Sequence, residues 1–382
     1  MRRKLHKNIG RGAACVLVAG VAVSVLLPIR VHNAALQAQS LSCGALGTTI
    51  NDRIQSATAV ALQKAVREYH APAGFIMIMS VRSGAIVAAS DYVEGKTSSA
   101  MAEAGTPYEV GSVMKPLLVA AALNEGKITP SFSYYDADKV TVDGRTIVNA
   151  VAHGTGHKSL EDIIVLSLNT GAVHVLQRMG GDSLGAQTRG LWHDYLTDRY
   201  NFGTAGFAVE GIDKVGTVPP VGIPDARYRY AQTAFGIGLT ISPAQLSAAY
   251  AAVVGDGNYR RPFLCEDTNS TLHKGSRIMS QHTVDSMRFL LQKALLVSNP
   301  GGSIPGHISG GKSGTAPIAQ SEGTYNPDSN NGTYIGYYGK DEPEYILLVR
   351  LTNPITQSYA SRAAANVWAQ LVATLTHHKV IQ

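Results

Sequence analysis

The β-rich apolar runs of this 382-residue chain lie near its two ends, and a long helix-rich stretch separates them. Phe75–Val81 and Ala85–Ser90 are joined by Arg82-Ser83-Gly84, a short glycine-containing loop that signals a hairpin. Further runs lie at Ile308–Ala316, Thr333–Tyr338 and Tyr345–Leu351. The simplest way to bury both sets is one antiparallel sheet of about five strands drawn from both ends of the chain, with helices on its two faces. The expected class is therefore an α/β (α+β) sandwich with a helical middle.

Helices are expected over Ala59–Tyr69 and over Val113–Asn124, which stops at Gly126. Ser159 with Asp162 resembles a capping box opening a helix to about Leu166, and another helix runs from about Thr170 to Met179. Ser242-Pro243 opens a helix through Val254, and Ser361–Leu375 forms a last amphipathic one. No internal repeat is present.

Ahead of all this, Ala13–Ile29 is almost wholly apolar and follows a basic stretch. That order keeps residues 1–12 in the cytoplasm as a basic tail and sends the remainder across the membrane. Residues 13–30 are read as a transmembrane signal anchor, 31–50 as a linker and 51–382 as a single folded domain. The length also suits a cleaved signal peptide, but no clean Ala-x-Ala follows. Five positive charges (Arg2, Arg3, Lys4, Lys7, Arg11) lie before the apolar run, so the net charge of +6 leaves the rest nearly neutral. A nucleic-acid partner gains no support from that balance. Cys43 and Cys265 would both lie outside the cell, where a disulfide is permitted; sequence leaves their pairing open.

Three short motifs carry the chemistry. In Ser112-Val-Met-Lys115 a spacing of three puts hydroxyl and amine on one helical face. Ser112 would stand at the helix N-terminus, where backbone N–H groups favour a developing alkoxide. Apolar neighbours Met114, Leu117 and Leu118 favour the neutral amine of Lys115, so it can act as a base. Ser167-Leu-Asn169 falls between two helical stretches, where the hydroxyl could relay a proton and the amide could hold a substrate carbonyl. Lys312-Ser313-Gly314-Thr315 sits in a β-rich run; Gly314 lets a ligand approach the strand, and the Thr315 N–H can serve an oxyanion. The first two motifs alone are commonplace: a cap with an exposed charge, and an ordinary turn.

A competing pattern overlaps the third motif. Gly306 to Ser313 fits the GxxxxGK[ST] phosphate-loop spacing, but Gly314, Pro317 and Gly323 follow, so no helix can begin there to hold phosphates. His153-Gly-Thr-Gly-His157 suggests a ligand pair, yet it lies in a glycine-rich loop without an evident third ligand; no metal and no cofactor are expected.

In the order Ser-x-x-Lys, Ser-x-Asn, Lys-Ser-Gly-Thr, the motifs together resemble those of the acyl-serine transferases that bind penicillin. The chain looks like a class B penicillin-binding protein over roughly residues 55–375. Tyr108-Glu-Val-Gly-Ser112 resembles the family's run into its nucleophile, and Thr233 to Leu246 resembles its glycine-rich stretch and following helix. The family usually has Pro where this chain has Val110, and only about 40 residues separate the apolar run from the catalytic region. The family's usual pedestal domain is therefore expected to be missing.

The resemblance implies a peptidoglycan D,D-transpeptidase that β-lactam antibiotics acylate. Ser112 would be the nucleophile and Lys115 its general base, with Ser167 and Asn169 lining the cleft. Lys312 and Ser313 would bind a carboxylate, Gly314 would keep the strand open, and the N–H groups of Ser112 and Thr315 would form the oxyanion hole. Implied partners are stem peptides, β-lactams, the cytoplasmic membrane and other cell-wall synthesis proteins. A serine β-lactamase, a D,D-carboxypeptidase and a non-catalytic sensor or scaffold remain alternatives. Leu168, where a class A β-lactamase has Asp, counts against the first.

Overall fold

The computed structural model describes residues 32–33, 43, 47–96, 100–204, 214–265, 275–319, 325–356 and 359–377. The expected anchor, residues 13–30, lies outside these, as does the basic tail. Among the described residues no helix is long and apolar enough to cross a membrane.

Five long strands form one antiparallel sheet: β1 (Ala73–Ser80), β2 (Ile86–Val93), β3 (Ile308–Ala319), β4 (Tyr325–Gly339) and β5 (Tyr345–Thr352). Their order is β2-β1-β5-β4-β3, with a two-residue strand, His32–Asn33, outside β2. Two strands from the start of the chain thus abut three from its end, through β1 against β5 with Ile76 opposite Val349.

The strand sequences explain this placement. Phe75, Met77 and Met79 of β1 and Ile346 and Leu348 of β5 face one core, while Ile76, Ile78, Leu347, Val349 and Leu351 face another. A strand buried on both faces reads as a continuous apolar run, as these do. The second core lies under α1 (Asp52–Glu68) and α7 (Ala360–His377). The first, larger core lies under the helical middle: α2 (Lys115–Asn124), α3 (Leu160–Val165), α4 (Asn169–Met179), α5 (Pro243–Val254) and α6 (Gln281–Ser298). Every residue of α5, and every residue of α2 but Asn124, is buried. Such helices are mostly apolar because they have no solvent face, with Lys115 in α2 and Gln245 and Ser247 in α5 as buried exceptions.

Several boundaries depart from the sequence reading. α1 begins at Asp52 because the Asn51 side chain accepts from the Arg53 and Ile54 amides, seven residues ahead of the expected start. A 3₁₀ turn before α2, Gly111–Met114, replaces the first helical turn expected from Val113. β4 extends well before Thr333, since Asn331, Asn330 and Asn326 pair with β3 across a register shift at Pro317/Ile318. The expected capping box of Ser159 with Asp162 is present, and the helix expected to open at Ser242-Pro243 does so with a capping box of its own, Ser242 with Gln245. Cys43 and Cys265 are joined in a disulfide, resolving the pairing that sequence left open. Beside it Thr49 N donates to Leu264 O at 2.8 Å.

Candidate active site

Ser112 lies in the 3₁₀ turn at the mouth of α2, half-buried, and Lys115 opens the helix with no exposure at all. Pro116 falls in the first turn, where its missing N–H costs nothing. The Lys115 Nζ stands 2.8 Å from Ser112 Oγ, 2.6 Å from Ser167 O, 3.1 Å from Ser167 Oγ and 2.7 Å from Asn169 Oδ1. Burial, and then the nearby charge of Lys312, hold its amine well below the ordinary lysine range.

Lys312 reaches the same centre from β3. Its Nζ lies 2.9 Å from Ser167 Oγ and 2.9 Å from Ser313 O. Burial alone pushes its amine down to about 7. Ser167 is therefore shared between two buried amines, and the residues named from the three sequence motifs meet at one point.

β3 is the sheet's edge, so one side of its backbone is free to face the serine turn. The approach is as close as backbone allows. A Cβ on Gly111 (φ +63°) would come within 2.5 Å of Thr315 O, and one on Gly314 within 2.8 Å of Val110 O. In a strand the N–H and C=O of one residue point to the same side, so the Thr315 amide faces the side on which the serine turn lies. Ser313 and Thr315 are half-buried, at the rim.

The opposite wall is the turn Ser167-Leu168-Asn169, which leads into α4. Ser167 adopts a left-handed conformation, φ +60°, that costs a non-glycine residue about 1–2 kcal/mol. Asn169 points its Oδ1 at Lys115 and donates from Nδ2 to Val148 O at 2.9 Å.

Sequence reasoning missed the groups supporting these walls. Glu109 Oε1 accepts from the Gly238 amide and the Tyr325 hydroxyl, each at 2.8 Å, tying the serine turn to two other segments; burial raises its carboxyl. The only signal was its place in the Tyr108-to-Ser112 run. Arg350 donates to Glu103 Oε2 at 2.6 Å and stacks 4.8 Å over the Tyr108 ring, bracing that run from below. Asp136, Asn149 and Thr170 form a network under the second wall that left no readable pattern.

The segment that fitted a phosphate loop is strand from Ile308 on, continuing to Ala319, so no helix N-terminus meets it. The His157 ring packs edge-on against Tyr135. No group of three or more potential metal ligands occurs among the described residues.

A family model described as the penicillin binding protein transpeptidase domain matches residues 74–373. The chain belongs to this family. Stage V sporulation protein D of Bacillus subtilis (strain 168) is 27% identical over 332 residues, covering 80% of this chain and 49% of that protein. A probable peptidoglycan D,D-transpeptidase FtsI of Caulobacter vibrioides is 26% identical over 330 residues, covering 80% and 53%. The chain thus spans about half the length of these curated relatives. The transpeptidase-domain fold is shared with the apo domain of Burkholderia pseudomallei penicillin-binding protein 3, at a TM-score of 0.75 and 24% identity, covering 87% of this chain and 97% of that one. It is also shared with the aztreonam complex of a mycobacterial penicillin-binding protein 3, at a TM-score of 0.72 and 21% identity, covering 88% and 80%.

Proposed function

We propose that this penicillin-binding transpeptidase domain cross-links peptidoglycan stem peptides through an acyl-enzyme on Ser112. The observation that carries the reading is the fully buried Lys115 amine, 2.8 Å from the Ser112 hydroxyl and held below its ordinary pKa. A neutral amine at that distance accepts the hydroxyl proton as Oγ attacks the carbonyl carbon of the penultimate D-alanine. The Ser112 and Thr315 amides stabilise the oxyanion that forms. Collapse breaks the peptide bond, and the departing D-alanine takes its proton from Lys115 by way of the Ser167 hydroxyl. A second stem-peptide amine then attacks the ester, and its proton returns along the same route.

Lys312, with Ser313, holds the terminal carboxylate, and Asn169 receives a backbone group of the donor peptide. The absence of a side chain at Gly314, where the sequence suggested room for a ligand, instead lets the strand lie against the serine turn and keeps its backbone beside Ser112. A β-lactam uses the same path: its ring amide opens onto Ser112 and the acyl-enzyme persists. Relatives named as D,D-transpeptidases and the aztreonam-bound structure of similar fold support this chemistry.

The domain is proposed to work outside the cytoplasmic membrane, anchored by residues 13–30, alongside other cell-wall synthesis proteins. The basic-then-apolar N-terminus supports this, as does the disulfide, a bond that persists in oxidising compartments.

The test is mass spectrometry of the full chain after benzylpenicillin treatment. One adduct on the peptide bearing Ser112, lost in Ser112→Ala, is expected. An unmodified protein, or an adduct elsewhere, would sink the reading. Incubation with a donor stem peptide and an acceptor amine then separates cross-linking from simple hydrolysis.

A further inference from the structure

The turn that presents Ser167 and Asn169 is not held by its own sequence. α4 begins after Leu168, an apolar residue that offers no side-chain cap. Helix N-termini leave unpaired amides that a neighbouring acceptor must satisfy. Here the acceptor comes from outside: Asn149 Oδ1 takes the Thr170 amide at 3.1 Å.

An amide side chain can turn over, exchanging acceptor for donor, and then the cap would be lost. Asp136 prevents this. Its Oδ2 accepts from Asn149 Nδ2 at 3.2 Å, from Thr170 Oγ1 at 2.8 Å and from the Tyr134 hydroxyl at 2.9 Å. Its Oδ1 accepts from the Asp138 amide at 2.9 Å. The carboxylate is fully buried, and all four of its partners are donors. The fit is close, since a Cβ on Gly171 would come within 2.9 Å of the Tyr134 hydroxyl. The residue before Asn149 closes the frame: Val148 O accepts from Asn169 Nδ2, so the amide facing Lys115 is held from the same segment.

We propose that Asp136 is a positioning residue: it fixes the orientation of Asn149, which caps α4 and so sets Ser167 and Asn169 against Lys115. The pair acts as one unit of fixed polarity, a carboxylate that only accepts beneath an amide that must both donate and accept. The left-handed Ser167 turn persists because this frame surrounds it. The catalytic consequence rests on the proposed acyl-serine chemistry; the structural consequence does not.

The full chain is compared with Asp136→Ala and with the swap Asp136→Asn/Asn149→Asp. In the single variant Asn149 Nδ2 loses its acceptor, so nothing holds its Oδ1 toward the Thr170 amide; an Asn at 136 alone would not test this, because its oxygen could still face Asn149 with its NH2 turned to the Asp138 amide. In the swap, the carboxylate moved to position 149 accepts both from the Thr170 amide and from the side-chain amide moved to position 136. Donor and acceptor are then matched again between the two positions, which is why both are exchanged. Hydrogen exchange at the Thr170 amide is expected to quicken by about tenfold or more in the single variant and to recover in the swap. The limiting rate of benzylpenicillin acylation is expected to fall by about ten- to a hundredfold in the single variant, with non-covalent affinity changed by no more than about twofold, and to recover likewise.

Unchanged Thr170 exchange in the single variant overturns the proposal, whether or not the wild type is acylated. So does a swap that restores neither quantity while remaining folded. If the single variant does not fold, the swap alone decides: wild-type exchange and acylation support the pairing, and loss of both overturns it. Absence of acylation in the wild type overturns the acyl-serine reading instead, and leaves the exchange result to judge the frame.

Discussion

The cleft has two walls held by different physics. The strand wall, Lys312 to Thr315, is fixed by backbone against backbone, with glycines where a Cβ would strike a carbonyl. The helical wall, Ser167 to Thr170, is fixed by side chains reaching in from Asn149 and Asp136, 21 and 34 residues earlier than Thr170. One wall therefore breaks when a carbon is added, and the other when an oxygen is exchanged. Lys115 stands between them, touching the serine turn and the helical wall while feeling the charge of the strand wall.

That difference orders the expected effects. Replacing the shared centre, Lys115→Met, removes the amine proposed as the base, which both walls surround. Penicillin acylation should slow by about 10³-fold or more, measured by stopped-flow with a fluorescent penicillin. Retention of near-wild-type rates would show that another group takes the proton.

Gly314→Ala adds one methyl to the strand wall, 2.8 Å from Val110 O and 3.0 Å from Val113 N. The strand must withdraw from the serine turn, and acylation should fall by about 10²-fold. A crystal structure showing the methyl accommodated without a shift would break the contrast between the walls.

The pH profile probes the strand wall without mutation. Lys312 titrates at about 7 in the free protein, and only its charged form holds a carboxylate. The second-order acylation rate should therefore decline as pH rises through that value, by about tenfold per unit once well above it. Folding lowers this pKa, so the unfolded chain binds the extra proton between about 7 and the ordinary lysine range, and stability rises with pH across that window. A flat profile across this range would show that the Lys312 charge does not hold the carboxylate.

The smallest effect on chemistry belongs to the disulfide, remote from both walls. Cys43→Ser with Cys265→Ser opens a link spanning 222 residues and should lower unfolding stability by about 2–5 kcal/mol in denaturant titration. Acylation by the folded protein should change by less than about twofold.

Much of the strand wall was legible in the sequence. The apolar runs, the glycine in Lys312-Ser-Gly-Thr and the three-residue spacing of Ser112 and Lys115 are local patterns, and local geometry obeys them. Where longer-range partners decide, the reading slipped. The helix expected from Ala59 is a separate, local case: the Thr58 hydroxyl donates back to Ile54 O at 2.8 Å inside α1, which Asn51 caps from the residue before it. The stretch 326–331 has the composition of a turn, yet it extends β4 because β3 pairs with Asn326, Asn330 and Asn331. The helical wall's support was illegible for the same reason: Asp136 and Asn149 are ordinary turn residues until the fold lays them under Thr170.

The order and spacing of residues alone determined which groups could do chemistry here, and that a sheet assembled from both ends would carry helices on its faces. Periodicity and local hydrogen bonding act within a few residues, and that is the range over which a sequence speaks directly. Only the tertiary structure decided that Ser167 lies between two buried amines, and that a carboxylate buried far from any motif orients the amide that caps α4. Burial sets the amines' basicity and distance sets the polar pairing, and neither exists until the chain has closed on itself.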